Sequence, residues 1–128
     1  MEARFFRCEH CGNVIIKAHD SKVPVMCCGE KMVELVPNTV EASTEKHMPE
    51  VEVIAEGAEI MVKVGSVEHP MTEEHYIQFV ATESCNGVKV RALEPGDFPG
   101  SAFAILPYEK MTAIYSYCNL HGLWKLEL

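Results

Sequence analysis

Tyr76-Ile77-Gln78-Phe79-Val80-Ala81-Thr82 is a run dominated by aromatic and β-branched residues. Such side chains suit a pleated, packed strand better than a helix. Outward from this run the same character persists. Ile60, Val62 and Val64 alternate with Met61 and Lys63, and Val88 and Val90 alternate with charged residues before the turn Glu94-Pro95-Gly96. Phe103–Leu106 and Met111–Tyr117 are further strand candidates, and no stretch sustains a 3.6-residue apolar period. Short strands divided by Gly, Pro and Asn predict a mainly β chain, with an antiparallel sandwich from about residue 40 onward.

Residues 1–36 differ in kind. They hold Cys8, Cys11, Cys27 and Cys28, the turn-like Gly12 and Gly29, and only short apolar runs at Val14–Ile16 and Val23–Met26. So small a segment cannot fold on apolar burial alone, and a structural metal would supply the missing stability. Val36-Pro37-Asn38 reads as the boundary, giving domains 1–36 and 37–128.

Composition narrows the function. At 128 residues and 48% hydrophobic content the chain has enough apolar side chains for a packed core. Its net charge of −8 argues against a nucleic-acid partner, which needs a basic surface. No apolar run approaches the length of a membrane helix, and MEARFFRCEHCG lacks the form of a signal peptide, so a soluble, cytoplasmic protein is expected. In a reducing cytosol, clustered cysteines more often bind metal than form disulfides.

Cys8-x2-Cys11, fifteen intervening residues and then Cys27-Cys28 place four thiols where one metal can gather them. Four thiolates make a tetrahedral site for iron or zinc. Spacing leaves two uses open, a one-electron FeS4 centre or a clip that only holds the domain together. The adjacent pair Cys27-Cys28 must splay apart to reach one ion, and a strained disulfide between them is the alternative. His10 and His19 read as exposed side chains. Four other histidines and one cysteine stand at breaks between strand-like runs: His47, His69, His75, Cys118 and His121. His69 precedes Pro70, which biases it to an extended backbone. Loops at one end of a sandwich could gather these five, but each histidine alone also reads as a surface residue, so spacing by itself leaves this second site open.

The sequence resembles the two-iron superoxide reductases of the desulfoferrodoxin type over essentially its whole length. The matching segments are Cys8-Glu-His-Cys11-Gly-Asn13, Cys27-Cys28-Gly29, Glu45-Lys46-His47-x-Pro49, Val64-Gly65-Ser66-Val67-x-His69-Pro70-Met71, His75-Tyr76-Ile77 and Cys118-Asn119-Leu120-His121-Gly122-x-Trp124-Lys125. The resemblance implies a desulforedoxin-like FeS4 domain followed by an immunoglobulin-like β-sandwich holding a second, five-coordinate iron, two irons per chain. It implies His47, His69, His75 and His121 as equatorial ligands and Cys118 as the axial thiolate. Glu45 would take the sixth position in the ferric state, and Lys46 would stand beside the open face. It further implies reduction of superoxide to hydrogen peroxide, an external donor such as a rubredoxin, and a homodimer. Leu123 and Cys85 depart from the pattern, and Cys85 reads as a buried small hydrophobe or a bystander.

The residue types suit that chemistry. Neutral imidazoles and a single thiolate leave a ferrous or ferric ion net positive, a local attraction for an anion inside an acidic protein. Backbone N–H groups of Asn119 to His121 are expected to bond the Cys118 sulfur and tune its donation. Two other classes compete: a non-catalytic electron carrier or iron store, and a zinc-ribbon module with incidental histidines.

Overall fold

The computed structural model describes residues 2–128 and divides them into two compact units, 2–36 and 37–128. In the first, strand β1 (Phe5–Arg7) pairs antiparallel with β2 (Val14–Ile16) on one side and β5 (Val33–Glu34) on the other. Strands β3 (Met26–Cys27) and β4 (Glu30–Lys31) form a hairpin with Cys27 opposite Glu30. Its two turn residues, Cys28 and Gly29, both have positive φ, 52° and 77°. A type I′ two-residue hairpin requires left-handed backbone at both positions, and Cys28 accepts a conformation that costs any residue with a Cβ. The buried apolar residues of this unit are Ala3, Phe5, Phe6 and Cys8, whereas Val23, Val25, Met26, Val33 and Val36 are exposed. Of the apolar run expected at 23–26, only Met26 enters a strand.

The second unit is a β-sandwich. Strands β6 (Pro49–Ile54), β7 (Glu59–Val64) and β10 (Gly100–Ala104) form a three-stranded sheet in the order β10-β7-β6. Strands β8 (Ile77–Ser84), β9 (Gly87–Ala92), β11 (Met111–Cys118) and β12 (Gly122–Glu127) form a four-stranded sheet in the order β12-β11-β8-β9. Every pairing is antiparallel. Three strands facing four is the strand count of a constant-type immunoglobulin sandwich. Alternation sends Ile60, Val62 and Val64 of β7 inward, where they meet Val80 of β8, Phe103 of β10 and Ile114 of β11 in one apolar core. The one α-helix among the described residues is a single turn, α1 (Thr44–His47), and no helix is long and apolar enough to cross a membrane.

Strands β1, β4, β5, β6 and β12 were not among the sequence candidates. Cys85 is not buried: it is exposed in the turn joining β8 to β9.

Candidate metal centres

The first cluster comprises Cys8, Cys11, Cys27 and Cys28, whose sulfurs all lie within 4.8 Å of one another. Two turns gather them. After β1, the Gly12 N–H donates to Cys8 O at 3.0 Å and the Cys11 N–H points at the Cys8 sulfur at 3.5 Å. The β3–β4 hairpin supplies the other two, and the left-handed Cys28 turns its thiol to the same side as that of Cys27. The splay required of adjacent cysteines is thus a property of the turn. All six cysteines are free thiols, so no disulfide joins Cys27 and Cys28. Backbone N–H groups of Cys11, and then of His10, hold the Cys8 thiol down to about 6. Hydrogen bonding to Cys8 and Cys11 pushes Cys28 up to about 12 and raises Cys27 as well. Four sulfurs this close cannot all ionise without a cation among them. His10 and His19 are exposed, and His10 pairs with Glu30 at 3.1 Å.

The second cluster forms at one end of the sandwich. Register places the start of β6, the end of β7, the start of β8, the end of β11 and the start of β12 together: Pro49 faces Val64, Cys118 faces Ile77, and Cys118 faces Gly122. His47 ends α1 just before β6, His69 follows β7, and His75 precedes β8. Cys118 ends β11, and His121 lies in the loop of three before Gly122. The β8–β11 register shifts between Tyr117 and Cys118, a local irregularity of the kind that re-aims a side chain.

Four imidazoles close into a ring. Adjacent pairs meet edge to face: His47–His69 at 4.7 Å between centroids, His69–His75 at 4.7 Å, His75–His121 at 5.1 Å and His121–His47 at 4.8 Å. The diagonal pair His47–His75 is farther apart, at 6.3 Å. Metal-binding atoms of His47, His75, Cys118 and His121 lie within 4.8 Å of one another, and His69 Nε2 is 3.2 Å from His47 Nε2. The Cys118 sulfur is 3.8 Å from His121 Nδ1.

Hydrogen bonding at the far ring nitrogens fixes the lone pairs. His47 Nδ1–H donates to Ser43 O at 2.7 Å, and His69 Nδ1–H donates to Pro70 O at 2.6 Å. Both rings are pushed toward the neutral form by burial, His69 down to about 4. Each Nε2 therefore carries a lone pair and no hydrogen, and the 3.2 Å approach sets lone pair against lone pair. His75 Nε2 is buried without any hydrogen-bond partner. A cation at the centre of the ring resolves both features, so these residues fit a metal. Burial pushes the Cys118 thiol up, against hydrogen bonds from the Leu120 and His121 N–H groups. Of the three N–H groups expected at that sulfur, Asn119 is the exception. Its N–H donates instead to Tyr76 O at 3.2 Å.

Lys46 and Glu45 are exposed on α1. The positive charge of Lys46 opposes protonation of His47 and His75, after the larger effect of burial, so its ammonium lies within electrostatic reach of the ring. The Glu45 carboxylate is outside the cluster. The Glu45 carbonyl is held by the Val67 N–H at 3.0 Å and by Ser66 Oγ at 3.2 Å.

Several supporting residues escaped the sequence reading. Trp124 stacks on His47 at 5.3 Å and 24°, and its Nε1–H donates to His121 O at 3.1 Å. Ser116 Oγ donates to His47 O at 2.8 Å. Trp124 lies inside the Cys118–Lys125 motif, its only signal; Ser43 and Ser116 had none.

Comparison with known proteins agrees with this geometry. The family model described as desulfoferrodoxin matches residues 39–127. A desulfoferrodoxin of Syntrophotalea carbinolica is 41% identical over 95% of this chain and 94% of its own. One of Nitratidesulfovibrio vulgaris is 39% identical over 95% and 94%. The crystal structure of the superoxide reductase from Treponema pallidum aligns with a TM-score of 0.82 and 36% identity, covering 99% of this chain and 100% of that one. Four thiolates in one cluster, and four imidazoles with a thiolate in the other, fit two iron centres.

Proposed function

We propose that this chain, which belongs to the desulfoferrodoxin family, is a superoxide reductase. Its two domains divide the work: residues 1–36 hold an FeS4 centre through Cys8, Cys11, Cys27 and Cys28, and residues 37–128 hold the reactive iron through His47, His69, His75, His121 and Cys118. The observation that best supports this is the closed ring of four imidazoles, with His75 Nε2 buried and unpaired, His69 Nε2 set against His47 Nε2, and a buried cysteine beside it. Relatives named superoxide reductase, from Pyrococcus furiosus and Treponema pallidum, point the same way.

Bound iron would supply the one electron that, with two protons, converts superoxide to hydrogen peroxide. The protein's own groups do the rest. His47 and His69 are buried and close one side of the ring, whereas His75 and His121 are partly exposed and leave the other side open to water and anion. The Lys46 ammonium draws the anion toward that side. The Leu120 and His121 N–H groups moderate donation from the Cys118 sulfur. The Glu45 carboxylate, exposed in water beside a carbonyl held by Val67 and Ser66, would be free to approach the iron once peroxide leaves. The electron comes from an external donor, a small protein such as a rubredoxin. The working protein is a cytoplasmic homodimer.

The deciding experiment follows superoxide consumption, oxygen and donor oxidation together. Reduction gives one donor electron consumed per superoxide and no stoichiometric oxygen. Half an equivalent of oxygen with no donor oxidised means dismutation and overturns the reading.

A further inference from the structure

His75 is held differently from two other members of the ring. His47 and His69 are locked through their own imidazoles, each donating Nδ1–H to a carbonyl. For His75, Nε2 has no partner, and among the described residues no hydrogen bond to its ring appears. What is fixed is the backbone on either side of it. The Thr72 hydroxyl accepts the His75 N–H at 3.1 Å and lies 3.2 Å from His75 O, while the Thr72 N–H donates to that oxygen at 3.0 Å. Asn119 then grips both flanking residues. Its Oδ1 accepts the Tyr76 N–H at 3.0 Å, its Nδ2 donates to Glu74 O at 2.9 Å, and its own N–H donates to Tyr76 O at 3.2 Å.

From these contacts we infer that Asn119, with Thr72, is the positioning residue for His75, fixing that imidazole relative to the Cys118 sulfur one residue away from the grip. This rests on the reading of His75 as a metal donor. A carboxamide is required because the two contacts demand an acceptor and a donor at fixed separation on one short side chain. Asp supplies only the acceptor, and Leu fills the space with neither. The turn that carries Cys118 thereby also sets the loop that carries His75, so two donors far apart in the chain move as one body.

The test uses the full chain loaded with iron, under anaerobic conditions, with a ferrous chelator competing for the histidine site while the FeS4 absorption serves as internal reference. Asn119→Leu should weaken iron retention at the histidine site about 10- to 100-fold, the usual range for residues that orient ligands, and shift the thiolate charge-transfer band. Asn119→Asp should fall between Leu and wild type. Thr72→Val should weaken retention in the same direction, and Thr72→Ser should restore it. If Asn119 acts through His75, then Asn119→Leu introduced into His75→Ala should change retention by less than about twofold. A folded Asn119→Leu with wild-type retention and an unshifted band overturns the inference, and so does a full multiplicative effect in the His75→Ala background. Should Asn119→Leu fail to fold, the Thr72→Val and Thr72→Ser pair in the two backgrounds decides by the same criteria. Retention is measured without superoxide. A wild-type chain that holds no iron at the histidine site therefore contradicts the proposed function, whereas tight wild-type binding indifferent to Asn119 contradicts this inference alone.

Discussion

Lys46 stands next to a buried ring residue yet keeps its own side chain in water. Its charge reaches His47 and His75. An ammonium about 6 Å from a monovalent anion contributes on the order of 1–3 kcal/mol between high and intermediate effective dielectric. Lys46→Ala should therefore slow the superoxide encounter roughly tenfold at low salt, while the absorption of the site stays unchanged. The decline of rate with added salt should also weaken or reverse, because screening then removes less attraction. Pulse radiolysis at two ionic strengths measures both, and an encounter rate equal to wild type at low salt removes Lys46 from the mechanism. Residues of this kind were legible in the sequence because charge and metal-binding chemistry are carried by residue type. The supporting ties were not. Asn119 contacts Tyr76 across 43 positions, and nothing in the local composition of either segment announces such a bond. The error over the Asn119 N–H has the same origin: turn spacing placed three donors near the sulfur, but only the fold shows that one of them serves Tyr76.

At the level of elements, the approach of β7 to the turn α1 sets where Lys46 and His47 stand. Gly65, directly after β7, has φ 85°, and its N–H donates to Met48 O at 3.1 Å. A Cβ there would meet the carbonyl oxygens of Val67, Glu45 and Lys46, the last two at 2.8 Å. Gly96 has a similar φ, 89°, with nothing within 4 Å of the same position. Left-handed backbone alone costs a residue with a Cβ about 1–2 kcal/mol. Gly96→Ala should lose about that much. Gly65→Ala should lose at least about 2 kcal/mol more, because backbone atoms cannot rotate out of the way as a side chain would. Thermal or denaturant unfolding of the two variants checks this, and equal losses contradict it. Element types were readable from alternation in β7 and β9 and from β-branched runs in β8 and β11. Strand β6 also alternates, in Pro49-Glu50-Val51-Glu52-Val53-Ile54, but its leading proline and two glutamates weaken that signal. Only its place at the sheet edge, where such residues are tolerated, makes it a strand. Strand β12 was hidden by the metal motif that runs into it.

Over the whole molecule, charge is unevenly divided. Residues 1–36 carry five basic and five acidic side chains, whereas residues 37–128 carry six basic and fourteen acidic ones. The net charge of −8 thus belongs entirely to the unit that holds the histidine ring, and attraction of an anion there has to be local. Stability is divided as unevenly. The sandwich has a continuous apolar core drawn from both sheets. The smaller unit buries Ala3, Phe5, Phe6 and Cys8 and leaves Val23, Val25, Met26, Val33 and Val36 exposed. Its ion pairs, Arg4 with Asp20 at 2.7 Å and with Glu34 at 2.8 Å, are exposed and contribute little. Metal held by four thiolates is then the main source of order in residues 2–36, since binding free energy at such sites is folding free energy. Cys28→Ser tests this without disturbing backbone geometry, because serine can adopt the same turn. Loss of the FeS4 absorption should be accompanied by loss of amide hydrogen-exchange protection in β1 and β2, with protection in β8 and β11 unchanged. Superoxide reduction supported by an artificial reductant should persist at near wild-type rate. Protection lost across β8 and β11 would mean that the sandwich depends on the first metal. Loss of activity with the second iron still bound would instead make the FeS4 centre an obligatory relay for the electron.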